Sequence, residues 1–164
     1  MPVISVPIEL YHKKFLTKLF VIDALPLNDD RFKFLQCVVS KPRAGKPVQK
    51  EMHFKAPSHI NIIIPDAMVM RMKYFSYFQN KKEFNARVDN LFRQYFMLHM
   101  SEVLMYTTPE AENKLFEFIE KFDLKATDGI TYSALYKYYQ RHRAGFNIEK
   151  QQNWAWKTFE NKKI

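Results

Sequence analysis

The chain has 164 residues, 47% hydrophobic and 26% charged, with 26 Lys and Arg against 17 Asp and Glu for a formal net charge of +9. That composition is globular rather than disordered, and the length allows one domain or two small ones. One cysteine and three glycines exclude an internal disulfide, a multi-cysteine zinc site, glycine-rich phosphate loops and a many-stranded barrel full of tight turns.

Fifteen Phe and nine Tyr are enough to build a sizeable core and leave aromatic surface for a partner. The single thiol, Cys37 in "FLQCVVS", reads as a buried apolar residue. The opening "MPVISVPIELYHKKF" has two early prolines and no uninterrupted apolar core of signal-peptide length. The longest apolar runs fall short of the roughly 20 residues of a spanning helix. The expectation is a soluble cytoplasmic protein with no membrane association.

Residues 1–65 hold ten basic and five acidic residues, residues 66–105 six and four, and residues 106–164 ten and eight. More than half of the cationic excess therefore lies in the first 65. Ordinary solubility charge is one reading of it. Binding to a polyanion is the functional one, with nucleic acid ahead of membrane because no basic amphipathic stretch stands out.

In chain order, "KKFLTKLFVIDAL" is ambiguous between a short helix and a strand. "RFKFLQCVVS" (Arg31–Ser40) alternates and reads as a strand. "KPRAGKPVQK" follows with two prolines, one glycine, no acid and the cations Lys41, Arg43, Lys46 and Lys50, an exposed basic loop. "EMHFKAP" could pair back as a strand before Pro57. In "HINIIIP", Ile60, Ile62 and Ile64 share one face and His59, Asn61 and Ile63 the other. Pro65 ends the strand and suits a helix start. Met68, Val69, Met72 and Phe75 then repeat at helical spacing, with Asn80 as a left-handed cap and Lys81 and Lys82 in the turn or the next helix's start. A second helix carries Phe84, Val88, Leu91, Phe92, Tyr95, Phe96, Val103 and Leu104 on its buried side and ends near Tyr106. Thr108 as N-cap, Pro109 at N1 and Glu110 and Glu112 near the dipole's positive end open a third. Its buried stripe is Ala111, Leu115, Phe118, Ile119 and Phe122. "DLKATDG" is a turn. A fourth helix begins near Thr131 and runs through "YSALYKYYQRHR" to Gly145 as a C′ glycine. The tail holds Trp154 and Trp156, suited to pinning it to the body.

"INIIIP", "DAMVMRMKYF" and "NLFRQYF" together resemble the ribbon-helix-helix family of DNA-binding proteins over residues 59–105. The resemblance implies a homodimer whose paired strands enter the major groove of duplex DNA as an antiparallel ribbon. Outward strand side chains would read bases, with His59, Asn61 and Ile63 in those places, and the second helix's start would hold phosphate. The family commonly carries a polar or basic side chain where Ile63 stands, and isoleucine offers only apolar contact, as with a thymine methyl. Taken without the resemblance, the same residues read as an ordinary sheet strand with Ile63 covered by a helix.

"YKYYQRHR" (Tyr136–Arg143) is the second basic feature. On a helix, Lys137, Arg141 and Gln140 share a side, with tyrosines interleaved and Arg143 beyond. It would serve as the second helix of a helix-turn-helix whose first is 109–122, although the connection is longer than the usual turn. A solvated surface helix whose tyrosines pack is the other reading.

No catalytic signature stands out. His12, His53, His59, His99 and His142 are scattered and form no H-x-x-x-H pair. His99 reads as a satisfied core histidine, Glu117 and Glu120 as solvated helix charges, and "DLKATDG" lacks oxygen ligands at Lys125 and Ala126 for calcium. No metal site and no cofactor are expected.

The expected fold class is α+β and mostly helical: a β-rich part at 1–58, a strand-helix-helix core at 59–106 and a helical part at 107–164, with one compact domain as the alternative. The expected function is a non-enzymatic DNA-binding protein, a regulator or accessory factor of the kind found on phages and mobile elements. The interface would draw on His59, Asn61, Lys41, Arg43, Lys46, Lys50, Lys81, Lys82, Lys137, Arg141 and Arg143. The alternative is a structural or protein-interaction component with a basic surface.

Overall fold

A computed structural model of the protein describes residues 3–32, 53–66, 81–103 and 108–145. The chain is α+β and mostly helical, and it divides into two compact units, Met1–Asp89 and Asn90–Ile164. Among the described residues, no helix is long and apolar enough to cross a membrane.

The first unit is built on a three-stranded sheet. Strand β1 (Val3–Glu9) leads without a loop into helix α1 (Leu10–Phe20); β2 is Ala24–Pro26 and β3 is Pro57–Ile63. The order is β1-β3-β2, antiparallel between β1 and β3 and parallel between β2 and β3. Period-2 alternation sorts the side chains. Val6 lies opposite Ile60, and Ile62 sits between Ile4 and Leu25. Val6, Ile8, Leu25, Ile60, Ile62 and the following Ile64 are buried, while His59 and Asn61 are exposed and Ile63 is half-buried. The strand that opens the expected middle segment at His59 is thus hydrogen-bonded to β1 and belongs with the N-terminal residues.

"KKFLTKLFVIDAL" resolves into the end of α1 followed by β2. His12, Phe15, Leu16 and Phe20 recur at helical spacing, all four are buried, and α1 packs on β3. The helix stops at Val21, whose backbone is left-handed (φ 55°, ψ 52°) while its side chain is 88% exposed. The Ile22 N–H closes back on the Thr17 carbonyl at 3.2 Å. A β-branched residue is strained there, at about 1–2 kcal/mol. Glycine removes the clash but loses more backbone entropy on folding, about 0.5–1 kcal/mol. Val21→Gly is therefore expected to raise stability by about 0.5–1 kcal/mol in urea unfolding; a destabilised variant would show that no strain resides at this turn.

Three polar contacts tie the unit together. Glu9 accepts backbone hydrogen bonds from Lys55 (2.8 Å) and Ala56 (2.9 Å), fixing the chain's entry into β3. Helix α2 (Lys81–Met100) begins beside the sheet edge. Asn85 Nδ2 donates to the carbonyls of Pro7 and Lys81, each at 3.0 Å. Pro7 suits an outer strand because it has no N–H to leave unpaired, and Asn85 satisfies its outward carbonyl. His12 Nε2 donates to Asp89 Oδ1 at 3.2 Å.

Four expectations are corrected here. Arg31 and Phe32 lie in a 3-10 turn, not a strand. Asp29 enforces it, accepting from the Arg31 N–H (2.9 Å) and Nε (2.7 Å), while its carbonyl accepts the Phe32 N–H. Residues 53–56 are not a strand either; Glu9 takes up N–H groups of this stretch instead. The second helix ends at Met100 and tightens into a 3-10 turn at Ser101–Val103, where Ser101 Oγ donates to the Leu98 carbonyl at 2.6 Å. Gly145 closes a further 3-10 turn, Arg143–Gly145, without a positive φ. The rest of the expected strand to Ser40, the helix at 67–78, the Asn80 cap, Cys37, Leu104, Tyr106, Trp154 and Trp156 lie outside the described residues.

The second unit contains the remainder of α2, helix α3 (Thr108–Phe122) and helix α4 (Tyr132–His142). Its core is aromatic. Phe118 lies 5.7 Å from Phe92, 5.0 Å from Phe96 and 4.9 Å from Phe122, measured between ring centroids. Ala111, Leu115, Leu135 and Tyr139 are also buried. Helix α3 ends in a Schellman arrangement: Asp123 is left-handed (φ 50°), Leu124 N–H bonds the Ile119 carbonyl, and Asp123 N–H bonds that of Glu120. The turn that follows is closed by buried Asp128, which accepts from the Lys125 N–H at 2.7 Å. Gly129 supplies a φ of 95°. Thr131, near the expected helix start, caps α4, accepting from the Ala134 N–H at 3.2 Å.

Candidate nucleic-acid interface

Of the expected interface residues, Lys41, Arg43, Lys46 and Lys50 lie outside the described residues. His59, Asn61, Lys81 and Lys82 belong to the first unit; Lys137, Arg141 and Arg143 belong to the second. His59 and Asn61 are exposed on the sheet face opposite the core. Asn61 stands between Ser5 and Ala24, and His59 is opposite Pro7. Both edges of β3 are occupied along 61–63, by β1 on one side and β2 on the other. A ribbon made from two copies of β3 would require one of those neighbours to leave. Lys82 is exposed and Lys81 half-buried at the start of α2.

Helix α4 brings three of the expected cations onto one segment. Leu135 and Tyr139 point into the core, which turns Ser133, Ala134, Lys137, Gln140 and Arg141 outward, all of them exposed. Arg143 is exposed just beyond. The segment 131–145 holds no Asp or Glu. In the same unit the acids lie elsewhere. On α3 they include Glu110, Glu112, Glu117 and Glu120, and Lys114 on that helix is held by Glu102 (2.6 Å) and Glu117 (3.0 Å). Those two hydrogen bonds raise the Lys114 pKa, and the Lys114 ammonium lowers that of Glu102. The two helices therefore differ in net charge: α3 carries four glutamates against Lys114 and Lys121, whereas α4 carries Lys137 and Arg141 and no acid.

One flank of α4 carries an arrangement that sequence spacing did not disclose. Phe116 of α3, 52% exposed, stacks on Tyr132 at 5.0 Å and 26° between ring planes. Tyr132 is followed by Tyr136 at 6.0 Å and 9°. Both tyrosines are half-buried. Burial first, then Glu112 and Tyr136, push the Tyr132 hydroxyl pKa up, so it stays neutral. The available signal was Phe116 itself, an aromatic standing off the apolar stripe of its helix. On the other flank, the Arg93 guanidinium lies 4.7 Å from the Tyr138 ring centroid, and Tyr138 packs on His142 at 4.2 Å.

His99 is the satisfied histidine that its position implied. Nε2 donates to the Lys114 carbonyl at 3.1 Å and the ring lies 5.4 Å from Phe118. Burial lowers its pKa and favours the neutral ring. No family model, no curated protein and no solved structure matches this chain.

Proposed function

We propose that this chain is a non-enzymatic DNA-binding protein that presents α4 to the phosphate backbone. One observation carries the reading: Lys137, Arg141 and Arg143 are all exposed on a segment without a carboxylate. None of the three is ion-paired among the described residues. Small outward side chains at Ser133 and Ala134 let the helix approach a DNA backbone closely.

Each neutralised phosphate releases condensed counterion, so the logarithm of affinity falls by roughly 0.9 per contact per decade of salt. Fluorescence anisotropy with a random duplex, across a salt series, should show a steep negative slope. Replacing Lys137, Arg141 and Arg143 together by glutamine should flatten that slope by roughly 2–3. An unchanged slope in the triple variant would remove α4 from the interface. A protein that forms a stable assembly by light scattering, with no DNA affinity even at low salt, would instead be a structural or interaction component.

A further inference from the structure

We infer that the row Phe116–Tyr132–Tyr136 is a stacking platform for unpaired bases, so that the strand held along α4 is single-stranded DNA. This inference rests on the DNA-binding reading above and specifies its ligand. Three features of the row support it.

The first is ring orientation. Tyr132 and Tyr136 are parallel within 9°, and Phe116 is within 26° of Tyr132. A base lying parallel to one ring is then nearly parallel to the next. Centroid spacings of 5.0 and 6.0 Å are those of offset stacks, which leave part of each ring face uncovered by its neighbour.

The second is placement. Tyr132 and Tyr136 are one turn apart on α4, and Gln140 and Arg143 continue the same flank at i+4 and i+7 from Tyr136. The aromatic row therefore runs into the cationic end of the helix. Lys137 and Arg141 lie alongside it on the outward face. Single-strand sites combine these two elements, a cationic track for the backbone and rings for successive bases. A duplex keeps its bases stacked on one another and cannot use the rings.

The third is partial exposure outside the buried phenylalanine cluster, although Tyr136 also packs on buried Tyr139 at 6.4 Å. Phe116 contributes nothing to the Phe92–Phe96–Phe118–Phe122 core and remains 52% exposed. The Tyr132 and Tyr136 hydroxyls bond none of the described residues. Glu112 lies near Tyr132, so the phosphates would run along the α4 side of the rings, away from that carboxylate.

The test compares an oligothymidylate of about 20 nucleotides, longer than a single-strand site of this kind, with a hairpin duplex by anisotropy at one moderate salt concentration. The full chain is used, with circular dichroism confirming that each variant is folded. Tyr136→Leu and Phe116→Leu keep apolar bulk and remove the ring; Tyr136→Phe keeps the ring. The wild type should bind the single strand more tightly than the hairpin. The double leucine variant should lose about tenfold on the single strand and nothing on the hairpin, and Tyr136→Phe should retain the wild-type preference. If the leucine variants bind both probes like the wild type while the Lys137, Arg141 and Arg143 triple variant does not, the platform is wrong and the DNA-binding reading stands. If the wild type binds neither probe, both fall.

Discussion

Phe118→Ala is expected to cost about 3–5 kcal/mol, the range for truncating a fully buried phenylalanine. Phe118 is 0% exposed, and three phenylalanines and His99 surround it at 4.9–5.7 Å. Those rings come from α2 and α3 and are held by their own helices, so the cavity cannot close by a simple side-chain shift. A small domain's whole stability is of the order of 5–15 kcal/mol, so the loss would consume a large share of it. Urea unfolding followed by far-ultraviolet circular dichroism measures the effect. Phe116→Leu on the same helix is the control, expected to shift stability by less than about 1 kcal/mol because Phe116 is half in water. If the two substitutions cost the same, Phe118 is not the keystone of the second unit.

The contrast between these two phenylalanines shows what the sequence could and could not disclose. The period of the stripe Ala111, Leu115, Phe118, Ile119 and Phe122 identifies one face of a helix, and the structure buries all of them but Ile119, which is half-buried. The start of a helix near Thr131 and "DLKATDG" as a turn were legible because both depend on residues within a few positions. The alternation at Ile60, Ile62 and Ile64 likewise identifies a buried face. It does not identify the strand's neighbours, because a central sheet strand and one half of an intermolecular ribbon share the same period. The partners of β3 in β1 lie far away in the sequence, from Val3↔Ile63 to Glu9↔Pro57, and the short β2 carries too few residues to show a period. Arg31 is a case of local polar capture: the Phe and Val content reads as strand, but Asp29 two positions earlier takes both the backbone N–H and the guanidinium. The cations of α4 were legible from composition. The aromatic row beside them was not, since Phe116 meets Tyr132 only through the packing of α3 on α4.

Asn85→Asp is expected to be destabilising by about 3 kcal/mol or more at neutral pH, although it exchanges one group for another of nearly the same size. Asn85 is buried at 7% exposure, and its Nδ2 is the donor to two carbonyls, those of Pro7 and Lys81. A carboxylate has no hydrogen to donate, so it would set a buried negative charge against two partial negative oxygens. Burying an unpaired charge costs several kcal/mol, and the Pro7 carbonyl on the outer strand would lose its partner as well. The Oδ1 of Asn85 bonds nothing among the described residues, so no existing donor would compensate the new charge. The sign of the pH dependence follows. Burial and the two carbonyls favour the protonated acid, raising its folded-state pKa above the unfolded value of about 3.9. The variant should therefore be most stable below that pH and lose stability as pH rises through the folded pKa, relative to the wild type at each pH. Asn85→Ala separates charge from the lost hydrogen bond: it should cost about 1–3 kcal/mol with no such pH dependence. Urea midpoints of the three proteins between about pH 4, near the unfolded carboxyl pKa, and about pH 8 decide it. If the Asn85→Asp variant proved as stable as the wild type at the upper end of that range, Asn85 would not bridge α2 to the edge of the sheet.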